Sequence, residues 1–312
     1  MKAMARKREA TARTERGDSR CLLILGCGYV GEALAAAWRA RGGRAAGVVR
    51  DAAHAARLKL AGIEAVAAAS PPDAPESLLA ETAILVDSIP LARQGATLRA
   101  TQPDWLPELA RRMPRLEQAV YLSSTGVYGD AGGAWVDETT PCRPQSARGI
   151  ERLRAERAWL DSGLPAEVFR LAGIYGPGRN ILGRLRAGDY RAVRWQPPRF
   201  SNRIHVDDIV AALLAAFARP RPGRIVNLAD DLPYPHADYA CELAAAIGAP
   251  PPVLLSPDEA ARILSPAALD FFRDDKRVSN RLLRRELLPR LIWPDFRAAL
   301  ARRGAAFGEA NA

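Results

Sequence analysis

From Cys21 onward, short apolar runs alternate with longer stretches patterned for helices. CLLIL (21–25) precedes a helical stretch over 30–41, and RAAGVV (44–49) precedes one over 52–61. IEAVA (63–67) follows. AILVDS (83–88) then leads to a helical stretch over 97–112, QAVYLSS (118–124) to one over 147–161, and AEVFRLA (166–172) ends the series. Apolar runs of strand length separated by helices are the signature of strands covered on both faces, so a doubly wound α/β domain around a parallel sheet is expected. After Leu171 the rhythm breaks. A stretch rich in Pro, Arg and Gly (176–202) precedes a further helix (207–218) and strand (224–228), and the last third reads as helices punctuated by proline. The expected organisation is a larger α/β domain over 21–175 plus 203–230 and a smaller, mostly helical C-terminal lobe over 176–202 plus 231–305. In that lobe Leu282, Leu283, Leu287 and Phe296 are expected in the core.

Gly26, Cys27, Gly28, Tyr29, Val30 and Gly31 form a GxGxxG that directly follows the first apolar run and opens the first helix. In that context Gly26 permits a tight turn, Gly28 lets the main chain approach a pyrophosphate, and Gly31 lets helix and strand pack closely. The first amides of the helix then offer donors to the anion. A dinucleotide cofactor is therefore expected over a purely structural glycine turn. Nineteen residues beyond Gly31 the second run ends in Val48, Val49, Arg50 and Asp51. An acid there selects the ribose 2′-hydroxyl of NAD, whereas a guanidinium matches the 2′-phosphate of NADP. Arg50 points to NADP, and Asp51 as the ribose ligand keeps NAD open.

The fifth run ends in Tyr121, Leu122, Ser123, Ser124, Thr125, Gly126, Val127 and Tyr128, and here the chain resembles the extended short-chain dehydrogenase/reductases, the NAD-dependent epimerase/dehydratase family. RLAGIYGPG (170–178), NRIHVDDI (202–209) and IVNLADD (225–231) are similar to that family's segments in order and spacing, so the resemblance spans about 21–303. It implies a Rossmann fold, a nicotinamide cofactor, a small-molecule substrate in the C-terminal lobe and a homodimer. It also implies that Ser124 is the hydroxyl that binds the reacting oxygen, and that Ser123 and Tyr175 border the cofactor. Read from the residues alone, Ser124 is equally a strand-end hydroxyl capping a turn. His205 reads as a loop lock before a helix capped by Asp207 or Asp208. Trp135 and Trp195, in loops, could stack on a base or sugar.

In the family a Tyr, with a Lys four residues later, exchanges a proton with the substrate. The matching positions here are Arg148 and Arg152, with Gly149 and Glu156 agreeing with the flanking pattern. Arginine, with a pKa above ~12, cannot act as a general acid or base near neutrality. Between Tyr128 and Tyr175 there is no Tyr or Lys to replace the pair. The chain resembles the atypical branch that lacks YxxxK. One turn apart, the two guanidiniums would face one way and clamp the cofactor's ribose and phosphates or an acidic substrate; otherwise they lie on a solvated face laced by Arg152 and Glu156. Tyr128 is the expected replacement phenol. The expected activity is an NADP(H)-dependent oxidoreductase or epimerase on a small polar or nucleotide-linked compound. The alternative is a non-catalytic, dinucleotide-binding redox sensor or regulator.

Composition narrows the partners. Four cysteines without a CxxC pair and three scattered histidines show neither a disulfide framework nor metal-ligand spacing, so no metal is expected and a reducing cytoplasm is the default. No window approaches the ~18 apolar residues of a membrane span. The net charge is +10, but the first twenty residues hold seven basic and three acidic side chains and read as a disordered, basic extension over 1–20. The other arginines alternate with Ala, Glu and Asp rather than clustering with aromatics, so no nucleic acid is expected, while an anionic small molecule would be favoured by the field.

Overall fold

CLLIL becomes strand β1 (Cys21–Leu25), with every side chain buried, and the computed structural model describes residues 18–95 and 97–308 of the chain. Helix α1 (Tyr29–Arg39) follows, then β2 (Arg44–Val49), α2 (Ala52–Leu60), β3 (Glu64–Ala67) and β4 (Thr82–Asp87). Helix α3 (Gln102–Arg111) leads to β5 (Gln118–Ser124), α4 (Ala147–Leu160) to β6 (Ala166–Leu171), and α5 (Val206–Phe217) to β7 (Ile225–Leu228); α6 (His236–Ala246) lies beyond. The seven strands form one sheet in the order β7-β6-β5-β4-β1-β2-β3. Leu23 pairs in parallel with Ala46 of β2 and Leu85 of β4, and Val86 pairs with Val120 of β5. The chain therefore winds outward from β1 to β3, returns beside β1 at β4, and winds the other way. The carboxyl ends of β1 and β4 meet at the switch point, where open α/β sheets bind their ligands.

The strands and helices expected over 21–172 form, with one difference. The stretch 97–112 is not one helix: Thr97–Arg99 pairs antiparallel with Ala92–Gln94, and α3 begins only at Gln102. Pro103 sets that start, since a ring without an N–H is tolerated in a first turn and not further in.

The chain divides into two compact units, one comprising residues up to 123, 151–169 and 210–225, the other 124–150, 170–209 and 226 onward. The segments that follow β5, β6 and β7 thus group with the second unit. The first unit's core lies against the sheet through Leu23, Leu25, Leu85, Tyr121, Trp105 and Trp159. The second has its own core, with Tyr175, Tyr190, Tyr239, Trp293, Phe296 and Phe307. Its helices are accompanied by short pairs such as Gly173–Tyr175 with Arg203–His205. Leu283, Leu287 and Phe296 are buried as expected, and Leu282 partly so. The basic extension falls outside the described residues except at 18–20, where Arg20 pairs with Asp18 and donates to the carbonyl of Phe217. Among the described residues no helix is long and apolar enough to cross a membrane.

Asp87, the one charged residue of the apolar run in β4, is fully buried. Its Oδ1 accepts from the Ile89 amide (2.9 Å), and its Oδ2 accepts from Gln102 Nε2 (3.0 Å) and Trp159 Nε1 (2.8 Å). One carboxyl thus joins the end of β4 to α3 and α4. Burial pushes its pKa up against these donors and the nearby Arg152 charge. Removing the acceptor strands two buried donors, each worth about 1–3 kcal/mol. Asp87→Ala is expected to destabilise the protein by about 2–5 kcal/mol in chemical denaturation and Asp87→Asn by less; a wild-type midpoint for Asp87→Ala would show that the junction carries no stability.

Candidate cofactor site

The glycine turn is built where β1 ends. Gly26 donates its amide to the carbonyl of Val48 (2.8 Å) and has φ +81°, a left-handed conformation in which a side chain is strained. A Cβ here would lie 3.0 Å from the Ile89 backbone, so the turn sits against the loop leaving β4. Ser88 binds the same junction from the other side, its Oγ donating to the Leu25 carbonyl (2.9 Å). Helix α1 then starts at Tyr29 with Gly28 as an N-cap that provides no side-chain acceptor. The first intrahelical bond runs from the Glu32 amide to the Gly28 carbonyl (2.7 Å), so the amides of Tyr29, Val30 and Gly31 belong to the turn that a helix leaves without internal partners. At Gly31 a Cβ would come 2.9 Å from Ile24 Cγ2, which is the close helix and strand packing expected of the third glycine.

Cys27 contributes main chain only. Its thiol is buried, lies 3.0 Å from where a Cβ on Gly47 would be, and is pushed up to about 12 by desolvation. Val30 is likewise buried. This cradle of bare main chain beside uncapped amides fits a pyrophosphate. At the end of β2, Asp51 caps α2, its Oδ1 accepting from the Ala53 amide (2.9 Å). Arg50, beside it, is exposed and has no acceptor among the described residues.

On α4, Arg152 reaches the same loop. Its Nη1 donates to the Tyr121 hydroxyl (3.0 Å) and to the Ile89 carbonyl (3.4 Å). Tyr121 is buried, and desolvation pushes its phenol up to about 12 although Arg152 opposes the shift. Glu156, also buried, accepts from Ser123 Oγ (2.5 Å). The solvated face laced by Arg152 and Glu156 is therefore corrected: Glu156 is turned to Ser123, and Arg152 to Tyr121 and Ile89. Ser123 is correspondingly buried and committed to Glu156. Arg148, by contrast, is exposed with no acceptor among the described residues.

In the second unit, Ser124 caps the single turn Thr125–Tyr128, its Oγ accepting from the Gly126 amide (3.1 Å). The hydroxyl proton is left for another acceptor. Tyr128 is buried: its hydroxyl donates to Asn227 Oδ1 (2.8 Å), the Arg170 guanidinium lies 4.9 Å from its ring centre, and burial pushes its pKa up to about 12. That setting holds the phenol protonated and engaged. Tyr175 is buried between His205 and Phe307, with ring centres 5.0 and 5.9 Å away, and its hydroxyl has no hydrogen-bond partner among the described residues.

Neither Asp207 nor Asp208 caps α5, because the helix already starts at Val206. His205 Nδ1 instead accepts from the Asp207 amide (3.1 Å), while Nε2 donates to the Ala306 carbonyl (2.7 Å); desolvation lowers its pKa and keeps the ring neutral. Asp208 accepts from the amides of Ile292 (2.7 Å) and Trp293 (3.1 Å), and Asp207 from Trp293 Nε1 (2.9 Å). These acids lock a distant segment of chain, which no local pattern could show. Asp87 and Tyr121 were also missed as site-building residues. An acid inside an apolar run was the available signal for the first; the second has none.

Residues 22–229 match the NAD dependent epimerase/dehydratase family, and the chain belongs to it. Protein YeeZ of Escherichia coli is 31% identical over 245 residues, covering 73% of this chain and 84% of YeeZ. The 3-diazoavenalumate denitrifying reductase of a Streptomyces species is 30% identical over 270 residues, covering 78% of this chain and 87% of the reductase. Among solved structures, a conserved protein from Silicibacter pomeroyi is 36% identical with a TM-score of 0.83, covering 92% of this chain and all of its own. The chain is thus a member of a nicotinamide-dinucleotide-binding family that has reductases among its relatives.

Two measurements test this geometry. Gly26→Ala forces a side chain onto the Ile89 backbone at positive φ, so dinucleotide affinity is expected to fall at least tenfold with a stability loss of about 1–3 kcal/mol; calorimetry showing unchanged affinity would remove the turn from the site. Burial raises Asp208 to about 6. An acid whose folded pKa lies above the unfolded ~3.9 favours the folded state while protonated, and that stability is lost as pH rises from about 4 through 6. Relative to wild type, Asp208→Asn should therefore gain about 2–3 kcal/mol between pH 4 and 7 in denaturant titrations. A pH-independent difference would refute the shift.

Proposed function

We propose that the chain is an NADP(H)-dependent oxidoreductase that reduces a small polar carbonyl compound. The observation that carries this reading is the glycine turn, with its uncapped helix start seated on the loop after β4. Arg50 supports the choice of NADP: it is unpartnered where a 2′-phosphate would lie, while Asp51, its rival as a ribose ligand, is committed to capping α2. The bound nicotinamide supplies hydride.

The protein's part is to bind and orient. The α1 amides hold the pyrophosphate, and Arg152, fixed by Tyr121 and Ile89, sets a positive charge and spare N–H donors beside the switch point for the ribose. Ser124, whose oxygen already accepts from Gly126, keeps its O–H to donate a hydrogen bond to the substrate oxygen. Reduction is favoured over epimerisation on chemical grounds. Reduction is one hydride transfer whose alkoxide takes its proton from water, whereas epimerisation must also run that step in reverse on the same substrate, with neither Arg148 nor Arg152 able to serve as a base. Arg148 also favours a second reading, a dinucleotide-responsive protein without catalysis.

Calorimetric titration with NADPH and NADH at two salt concentrations is expected to show NADPH bound more tightly, with the preference falling at least tenfold in Arg50→Ala. Stereospecifically deuterated NADPH should lose its label to a carbonyl substrate. Label retained against every compound of a carbonyl panel would leave the second reading, and no binding of either dinucleotide would reject both.

A further inference from the structure

In the second unit, the segment after Arg191–Val193 faces the start of α6 across an open pocket. Its walls include Trp195, Arg199, Phe200, His236 and Phe272. The charges around it almost cancel. Arg194 faces Asp238 (3.4 Å), and Asp274 pairs with Lys276 (2.7 Å). His236, whose Nε2 lies 2.6 Å from the Tyr190 hydroxyl, is driven down to about 3 by desolvation and the Arg203 charge and is neutral.

Arg199 is the exception. Its guanidinium carbon lies 3.7 Å from the centre of the Trp195 ring, one Nη1 hydrogen bond goes to the Arg273 carbonyl, and it has no carboxylate partner among the described residues. Nε and Nη2 are left without acceptors, and they form the edge of the fork that binds a carboxylate side-on through two parallel hydrogen bonds. Trp195 adds a second donor in want of an acceptor: its Nε1 is buried with no partner among the described residues. A buried N–H without an acceptor is destabilising, and a ligand oxygen would relieve it.

We infer that this pocket binds the carboxylate of a flat, singly charged aromatic acid, with Arg199 and Trp195 Nε1 as its donors and the aromatic walls holding the ring. One uncompensated cation matches one carboxylate; a nucleoside diphosphate brings two or more negative charges, for which the pocket's described residues offer no further free cation. The pocket lies wholly within the second unit. The residues lie outside the dinucleotide cradle, so the two claims can fail separately.

The test uses the full chain and three probes in calorimetry: cinnamate, its uncharged isostere cinnamamide, and UDP. Cinnamate is expected to bind at least tenfold more tightly than cinnamamide and than UDP. Arg199→Ala and Arg199→Gln should each weaken cinnamate ten- to hundredfold while leaving NADPH affinity unchanged, and Trp195→Phe should weaken it severalfold. Equal affinity for acid and amide would overturn the inference in the wild-type protein, independently of whether any variant folds. So would UDP binding more tightly than cinnamate, which would assign the pocket to a nucleotide. Cinnamate bound without any NADPH or NADH binding would instead support the pocket and reject the reductase.

Discussion

A single buried carboxyl at the end of β4 organises the functional end of the sheet. Asp87 accepts from the loop that follows it, from the first residue of α3 and from the indole of α4, so three segments far apart in sequence are held to one point. An unpaired buried carboxylate would be costly. Three donors offset that cost and make the geometry hard to relax, since moving any partner exposes a polar group to an apolar core. The loop placed in this way, through Ile89, is the surface on which the glycine turn rests and to which Arg152 binds.

That convergence gives the place of Arg152 on α4 a physical meaning. Arg152 is not loose charge on a helix; it is tied to a phenol and a carbonyl at the switch point. A lysine there would supply one compact cation, whereas the planar fork holds two acceptors and keeps further donors for a ligand. Arg148 has no such ties and lies exposed. The buried phenols offer no substitute acid, because desolvation drives Tyr121 and Tyr128 away from neutrality rather than toward it.

Much of the fold could be read from the chain. The alternation of apolar runs and helices is local, and burial on both faces leaves its mark in β1, β4 and β6. The glycine turn was equally legible, because each glycine answers a steric demand imposed within six residues. The pairing of Ala92–Gln94 with Thr97–Arg99, the latter in the stretch that read as the front of α3, was not, since its polar residues suit a strand or a helix about equally. Nor were the partners of Asp207 and Asp208. An acid before a helix looks like a cap, and only the return of the chain at 292–293 gives those carboxylates their real donors.

The sequence by itself determined the class of fold and the glycine turn, because each depends on residue type and spacing within one or two elements. Tertiary structure decided which charges remain free. Arg152 is engaged, Arg50, Arg148 and Arg199 lack carboxylate partners among the described residues, and Glu156 belongs to Ser123 rather than to the helix surface. Whether a charge is compensated depends on side chains brought together from distant parts of the chain, and that information is present only once the chain has folded.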